Sequence, residues 1–282
     1  MQEASLVLAS AGIEFSVEVD GRGARILVEE GTLQRAQEEI GAYGKENIAW
    51  PPITPMPVRR SDGVQGATLY VFFVVLLQVC AEYGALGLDW WEHGVLKAGS
   101  VLGGEYERAQ TALTLHVDLT HLLSNIVFGV VFGVLTAHAL GGGLTWILAL
   151  LAGGLGNLTN AWVQDASHRS VGASTAVFGL LGVLAAHEWA QRTEEHQLAI
   201  RRYGPIMGAA VLLGWLGVGD TQGERRVDVL AHVFGLAHGA LLGALAARIH
   251  LAQRCGPAAQ RILAGATMVA IVAAWCIALT RR

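Results

Sequence analysis

Long apolar runs separated by short polar segments dominate the chain from residue 67 onward. Each run approaches the roughly 17–25 residues that an α-helix needs to cross the hydrocarbon core of a bilayer. The pattern predicts seven membrane-spanning helices, near residues 67–88, 117–139, 143–163, 173–190, 204–219, 228–249 and 261–279. If the last run lies along the membrane surface instead of crossing it, the number falls to six.

The residues before these runs follow a different pattern. Residues 3–13 predict a short helix, and residues 14–20 alternate polar and apolar side chains like a half-buried strand. Residues 24–28 predict a second strand, and residues 32–40 a second helix with one apolar face. We therefore expect residues 1–49 to form a small soluble α/β domain.

The domain boundaries follow from proline content and hydropathy. Residues 50–65 include four prolines within seven positions, which exclude a helix and favour an extended linker. The predicted fold class is an all-α polytopic membrane protein with a six-helix core over residues 66–250. Residues 251–282 supply a loop and one extra C-terminal transmembrane helix.

Composition supports a membrane protein. Only 15% of residues are charged, against about 25% in soluble domains, and 36 glycines favour close helix packing. The net charge of −4 gives no reason to expect nucleic-acid binding. Cys80, Cys255 and Cys276 have no metal-ligand spacing, so we expect no metal and no cofactor.

Basic residues near the ends of the runs indicate an orientation. With a cytoplasmic N-terminus, eight arginines face inward and seven basic residues face outward, which is a weak positive-inside bias. The first apolar run begins after residue 60, so no cleavable signal peptide is expected. The predicted location is a prokaryotic cell (inner) membrane, with the N-terminus in the cytoplasm.

Three polar clusters lie within the apolar runs, where polar side chains are costly and therefore candidates for function. His121 and Asn125 share a helix face in the second run, and His116 falls just before it. The side chains of His121 and Asn125 could equally form hydrogen bonds between helices. Their spacing does not bring three metal ligands together.

The second cluster is Gly172-Ala173-Ser174, which opens the fourth run. A serine at this position is, taken alone, most simply a helix cap. On a helix that starts here, Phe178 and Gly182 lie on the same face as Ser174.

The third cluster is centred on His232 in the sixth run. Gly235, Gly239 and Gly243 lie near the same face, and such small residues allow a neighbouring helix to approach closely. If every predicted run crosses the bilayer, Ser174, His232 and His121 lie at the same, outer side of the membrane. The three clusters then provide a hydroxyl nucleophile, an imidazole base and side-chain hydrogen-bond donors, which are the parts of a hydrolase.

The ordered set of motifs resembles the rhomboid family of intramembrane serine proteases, over roughly residues 66–250. The motifs are His116…His121…Asn125, Gly172-Ala173-Ser174, and Ala231-His232 followed by Gly235 and Gly239. The resemblance implies a rhomboid-like six-helix core and a catalytic dyad of Ser174 and His232 without a required carboxylate. It implies an oxyanion site at His121, Asn125 and the Ser174 backbone N–H. It also implies supporting roles for His116, Gly172 and Phe178.

The expected activity is hydrolysis of peptide bonds in or next to the transmembrane segments of membrane proteins, with the lipid bilayer as the working environment. Two positions depart from the family pattern. Glu107-Arg108 stands where many rhomboids have Trp-Arg, and Phe178 has the ring of a stacking tyrosine without its hydroxyl. Asp228 precedes His232 by one turn and is expected to start the helix rather than to bind the histidine.

Other classes of protein fit less well. A rhomboid-like protein that binds membrane clients without cutting them remains the main alternative, although it would need neither Ser174 nor His232. A membrane metalloprotease would have the motif His-Glu-x-x-His. The nearest match in this chain, His187-Glu188-Trp189-Ala190-Gln191, lacks the second histidine. Residues 217–220 superficially resemble the Gly-x-Gly-Asp motif of intramembrane aspartyl proteases. That chemistry needs a second carboxylate, and no other aspartate or glutamate lies near the middle of a predicted span. A transporter would usually show an internal repeat, and none is convincing.

Overall fold

The computed structural model describes residues 2–20, 23–47, 60–191 and 228–281. By their internal contacts, the residues divide into two compact units, Met1–Pro57 and Val58–Arg282. The predicted fifth run, residues 204–219, and the proline-rich part of the linker lie outside the described residues.

The first unit contains two helices and a hairpin. Helix α1 (Gln2–Ser10) precedes strands β1 (Phe15–Asp20) and β2 (Gly23–Val28), which pair antiparallel, and helix α2 (Leu33–Glu46) follows. Leu8, Ile13 and Ala36 form its small buried core. The elements have the predicted order, whereas an independently stable soluble domain stays a prediction.

In the part of the second unit that the structure describes, the regular elements are helices and one pair of two-residue strands. Five of its described helices are long and apolar enough to cross a membrane: Val64–Glu82, Leu119–Leu140, Gly142–Val163, Val229–Arg248 and Pro257–Thr280. The helix bounds are α3 Val64–Glu82, α4 Trp90–Gly94, α5 Ala98–Leu102, α6 Arg108–Thr111, α7 Leu119–Leu140, α8 Gly142–Val163, α9 Ser174–Gln191, α10 Val229–Arg248, α11 Leu251–Arg254 and α12 Pro257–Thr280.

Helix α9 lies at the centre of the second unit. It was predicted as the fourth span, and it is 18 residues long but is not among the five apolar helices. Helices α7, α8 and α10 all pack against it, and most of its residues are buried. Because its neighbours are protein side chains rather than lipid, it can carry polar residues such as His187 and Glu188 at lower cost.

Close backbone packing joins α9 to α10. A Cβ atom added to Gly235, Gly239 or Gly243 would collide with the carbonyl oxygen of Thr175, Gly179 or Val183, respectively. Gly182 faces α10 in the same way, against the Leu236 carbonyl. This confirms the predicted face of small residues. Gly179 lies close to α8 as well as to α10, because a Cβ atom there would meet Ala152 of α8 at 2.7 Å.

The segment between α3 and α7 packs against α8 and α12. Its strand β3 (Leu96–Lys97) pairs antiparallel with β4 (Arg169–Ser170), which lies just before α9. Arg108 is buried there and donates from Nη1 to the carbonyl oxygens of Glu92, at 2.9 Å, and Val95, at 2.8 Å. Arg108 also forms an ion pair with Glu105.

An aromatic contact also supports this segment. The rings of Trp90 and Trp275 are 4.8 Å apart, and the Trp275 indole N–H donates to the Thr114 hydroxyl at 3.1 Å. Trp275 belongs to α12, so the last helix packs directly against the segment that leads to α7. Glu107 stands where many rhomboids have a tryptophan in this segment, and here the aromatic contact comes from Trp90 and Trp275.

Candidate active site

Ser174 and His232 lie on adjacent helices within hydrogen-bond distance. Ser174 is the first residue of α9, and His232 stands one turn inside α10. The Ser174 Oγ and His232 Nε2 atoms are 2.8 Å apart. This distance requires the close approach of the two helices, because each side chain projects from the face that carries the glycine contacts.

Phe178 fixes one side of the His232 imidazole. The two rings are stacked, with centroids 4.6 Å apart and an angle of 26° between their planes. Phe178 is one turn after Ser174 on α9, so the same helix holds both the serine and the ring that packs on the histidine. Stacking of this kind restricts the imidazole to orientations that keep Nε2 near Ser174.

A cavity of about 570 Å³ opens at this pair. Among its lining residues are His121 and Asn125 of α7, together with apolar residues deeper in the helices such as Phe132 and Leu181. Asn125 is buried, and its side-chain amide donates to the backbone oxygen of His121 at 2.9 Å. The structure thus brings all three predicted clusters to one cavity.

Gly172 allows the chain before α9 to pass close to His121. Its φ angle is +130°, in the region that favours glycine, and its N–H donates to the Ala112 carbonyl at 2.9 Å. A Cβ atom at this position would lie 2.6 Å from Cε1 of His121. Both the backbone angle and the space therefore require glycine here.

His116 lies in the loop just before α7 and is fully buried. Burial, together with the neighbouring His121, lowers the pKa of His116 to about 3, so its imidazole is neutral at ordinary pH. The neutral ring accepts the Ala173 backbone N–H through Nε2 at 3.2 Å. His116 thereby connects the start of α7 to the residue before Ser174.

Asp228 caps α10 and joins it to α8 and to the loop before α9. Its Oδ1 accepts the Ala231 N–H at 3.2 Å, while Oδ2 contacts the side chains of Asn160, at 2.6 Å, and His168, at 2.8 Å. This agrees with its predicted role at the helix start. Asn160 and His168 were not predicted as partners of Asp228, because neither belongs to a motif and their contact depends on tertiary packing.

The charge of Asp228 is stabilised by this network. Burial acts to raise its pKa, but hydrogen bonds from His168, Ser170 and the Ala231 N–H outweigh it, so the pKa lies below its usual range. A carboxylate with a lowered folded-state pKa adds stability above the unfolded-state pKa of about 3.9, and that stability is lost as the pH falls through the folded pKa.

We expect Asp228→Asn to lower the unfolding temperature at neutral pH, by an amount equivalent to about 1 kcal/mol, because it removes the charge from these hydrogen bonds. The deficit should shrink as the pH falls below the unfolded-state pKa of about 3.9 and through the lower folded-state pKa. Thermal unfolding in detergent across this pH range measures the effect. Asp62→Asn is the control, since that exposed carboxylate also accepts a backbone N–H before a helix. Equal unfolding temperatures for wild type and Asp228→Asn at every pH would contradict the interpretation.

The described part of the chain contains no group of three or more His, Cys, Asp or Glu side chains placed to hold a metal ion.

Fold and site together define a polytopic membrane protein with a serine and a histidine hydrogen-bonded between adjacent helices. The Rhomboid domain model matches residues 103–249, which is more than half of the 282 residues. The chain therefore belongs to the rhomboid family, and it is an integral, multi-pass membrane protein.

Relatives come from bacteria, plants and an apicomplexan. YdcA of Bacillus subtilis, which carries the name of a rhomboid protease, is 28% identical over 145 residues, covering 51% of this chain and 69% of that protein. RHOMBOID-like protein 4 of Arabidopsis thaliana is 34% identical over 57% of this chain and 40% of its own length. Rhomboid-like protease 3 of Toxoplasma gondii is 33% identical over 48% of this chain and 49% of its own length. The aligned region is thus about half or less of the latter two proteins.

Proposed function

We propose that this chain is an intramembrane serine endopeptidase that hydrolyses peptide bonds in or next to the transmembrane segments of other membrane proteins. The observation that carries the proposal is the 2.8 Å contact between Ser174 Oγ and His232 Nε2 at the cavity. A serine hydroxyl becomes a useful nucleophile when a positioned base takes its proton, and this contact has the required geometry.

The reaction would proceed through an acyl-enzyme. Ser174 Oγ attacks the scissile carbonyl carbon while His232 takes the hydroxyl proton, which gives a tetrahedral intermediate with a negatively charged oxygen. Collapse of the intermediate breaks the C–N bond, and His232 returns the proton to the leaving amine. Water then attacks the ester with His232 again as the base, releasing the new carboxyl end and restoring the Ser174 hydroxyl.

Three donors are assigned to the developing oxyanion: the side chains of His121 and Asn125 and the Ser174 backbone N–H. The first N–H groups of a helix have no partner within the helix, so the start of α9 suits this role. The Asn125 amide has a second N–H besides the one donated to the His121 backbone. Removing one such donor typically lowers kcat by about 10²–10³-fold.

The supporting residues hold this arrangement in place. His116 fixes the backbone before Ser174, Gly172 leaves space for His121, and Phe178 orients His232. Asp228 holds the start of α10 through the Ala231 N–H and connects it to the side chains of Asn160 and His168. The proposed machinery is a dyad of Ser174 and His232, with ring stacking on Phe178 to orient the imidazole.

The proposed substrates are transmembrane segments that unwind readily near the cut. A peptide bond within a helix has its carbonyl engaged and its flanks crowded, so an extended segment is needed at Ser174. Residues with weak helical propensity lower the cost of that unwinding. Water must reach the cavity for the second step, which favours cleavage near the end of the membrane where α7 and α9 begin. The cytoplasmic N-terminus and the prokaryotic inner membrane stay predictions.

The test uses the full chain in proteoliposomes with a reporter whose single transmembrane segment contains glycine and other weak helix formers. We expect two fragments, with the cut located by mass spectrometry in or beside that segment. A protein that only binds clients would retain the intact reporter in a pull-down and yield no fragments from any reporter in a panel. That outcome would overturn the proposed activity in favour of client binding.

A further inference from the structure

A second cavity, of about 730 Å³, lies between α3, α8 and α12. Along α3 it is lined by Leu69 and Phe73, and along α12 by Ala264, Met268 and Ile271. This apolar cleft is separate from the serine cavity, since none of the residues that line it also lines the cavity at Ser174. The proposed function does not use it.

The polar end of this cleft lies at the opposite end of the helices from Ser174. Gln260, near the start of α12, bonds the Leu140 carbonyl and the Leu144 N–H, both at 2.9 Å, and so sits at the turn between α7 and α8. Helix α7 has 22 residues, or about 33 Å of length, and His121 lies at its other end. The polar end of the cleft therefore lies at the other side of the membrane from the serine.

The cleft is about as long as one lipid leaflet along α3 and longer along α12. Lining residues run from Gln65 to Val74 on α3, about 14 Å along the helix, and from Pro257 to Ile271 on α12, about 21 Å. Half of a hydrocarbon core about 30 Å thick is about 15 Å. An acyl chain that lies along the cleft would thus have its polar end at the start of these helices.

Two arginines mark that polar end. Arg60 and Arg261 line the cleft there and are exposed. Within the described residues, no ion pair joins either of them to a carboxylate. Arg60 donates from Nη1 to the Ala252 carbonyl at 2.8 Å, which leaves most of its five N–H donors for another partner. Asp62 is near in sequence, but it does not line the cleft, and its carboxylate accepts the Val64 N–H.

We propose that this cleft binds one anionic phospholipid, with its phosphate between Arg60 and Arg261 and an acyl chain along α3 and α12. Arginine forms paired hydrogen bonds with phosphate oxygens, and basic pockets between transmembrane helices suit anionic head groups. A lipid held between α3 and α12 would join the first described membrane helix to the last, which is also the helix that supports the segment before α7 through Trp275.

The test is native mass spectrometry of the full chain in detergent, titrated with phosphatidylglycerol or with phosphatidylcholine of the same acyl chains. We expect one phosphatidylglycerol to bind about tenfold more tightly than phosphatidylcholine, given two basic contacts. The double variant Arg60→Gln/Arg261→Gln should remove this preference. Arg248→Gln is the control, because it removes an exposed arginine from the end of α10 outside the cleft.

A second pair of variants tests the acyl-chain part of the site. Ala264→Phe fills the cleft and should weaken the binding of both lipids, while Ala266→Phe, exposed on the same helix and outside the cleft, should leave it unchanged. Glycerol 1-phosphate, which has no acyl chain, should not displace the lipid. Displacement by that probe would identify a phosphate site instead of a lipid site. Equal effects of Ala264→Phe and Ala266→Phe, or of the arginine variants and Arg248→Gln, would overturn the proposal.

Discussion

Replacing Ser174 with alanine is expected to abolish cleavage of a transmembrane reporter in proteoliposomes, with kcat lowered by at least about 10³-fold. The substitution removes the Oγ atom that lies 2.8 Å from His232 and leaves no other nucleophile at that position. It should not unfold the protein, since alanine fits where serine did and the helix contacts of α9 come from other residues. The fragments are quantified on gels against time, at equal protein and reporter concentrations.

Thr68→Ala is the matched control for this experiment. It removes one exposed hydroxyl from α3, whose only described partner is the Val64 carbonyl one turn earlier. We expect its cleavage rate to equal that of the wild type. If Ser174→Ala retained wild-type cleavage, the proposed nucleophile would be wrong, and any protease activity would have to come from another group or a contaminant.

The second large effect is expected at Gly239, where α9 and α10 are closest. A methyl group at this position would collide with the backbone of Gly179, and backbone atoms cannot move aside as a flexible side chain can. We expect Gly239→Ala to destabilise the fold by about 3 kcal/mol and to separate Ser174 from His232. Both a lower unfolding temperature and a lower cleavage rate should result.

Gly265→Ala separates this packing effect from the intrinsic effect of glycine in a helix. Gly265 lies within α12, and a Cβ atom there would meet no heavy atom within 4 Å. Alanine is a better helix former by up to about 1 kcal/mol, so this variant should be neutral or more stable. Similar unfolding temperatures for Gly239→Ala and Gly265→Ala would show that the helix contact does not control stability.

Much of the membrane fold could be predicted from the apolar runs. Helices α7, α8 and α10 begin and end within two residues of the predicted spans. The first span was predicted to reach residue 88, whereas α3 ends at Glu82. The helix stops there because Gly84 has a left-handed backbone angle, and the apolar residues after it continue the hydropathy signal without continuing the helix.

The segment between α3 and α7 could not be predicted in the same way. Its helices have four or five residues each, which is too short for a periodic pattern, and its order depends on tertiary contacts. Arg108, for example, is held by carbonyl groups 13 and 16 residues away in sequence. Such partners leave no signal at a fixed spacing.

The candidate site was more predictable because each of its residues lies at a helix end or on a glycine-marked face. Ser174, His232 and His121 line one cavity, as their common depth in the spans indicated. The network of Asp228, Asn160 and His168 was not foreseen, since it joins α8, a loop and α10. The catalytic and supporting roles of the candidate site residues stay predictions until activity is measured.

The most direct test of the central claim is the reaction of the purified full chain with a fluorophosphonate. Ser174 Oγ should attack phosphorus, fluoride should leave, and His232 should accept the hydroxyl proton. The mass of the intact protein should then increase by one phosphonyl group, and peptide mapping should locate that group on the peptide containing Ser174. Both His232→Ala and Ser174→Ala should remain unlabelled under the same conditions. Labelling of His232→Ala at the wild-type rate, or no labelling of the wild type at Ser174, would contradict a serine activated by His232.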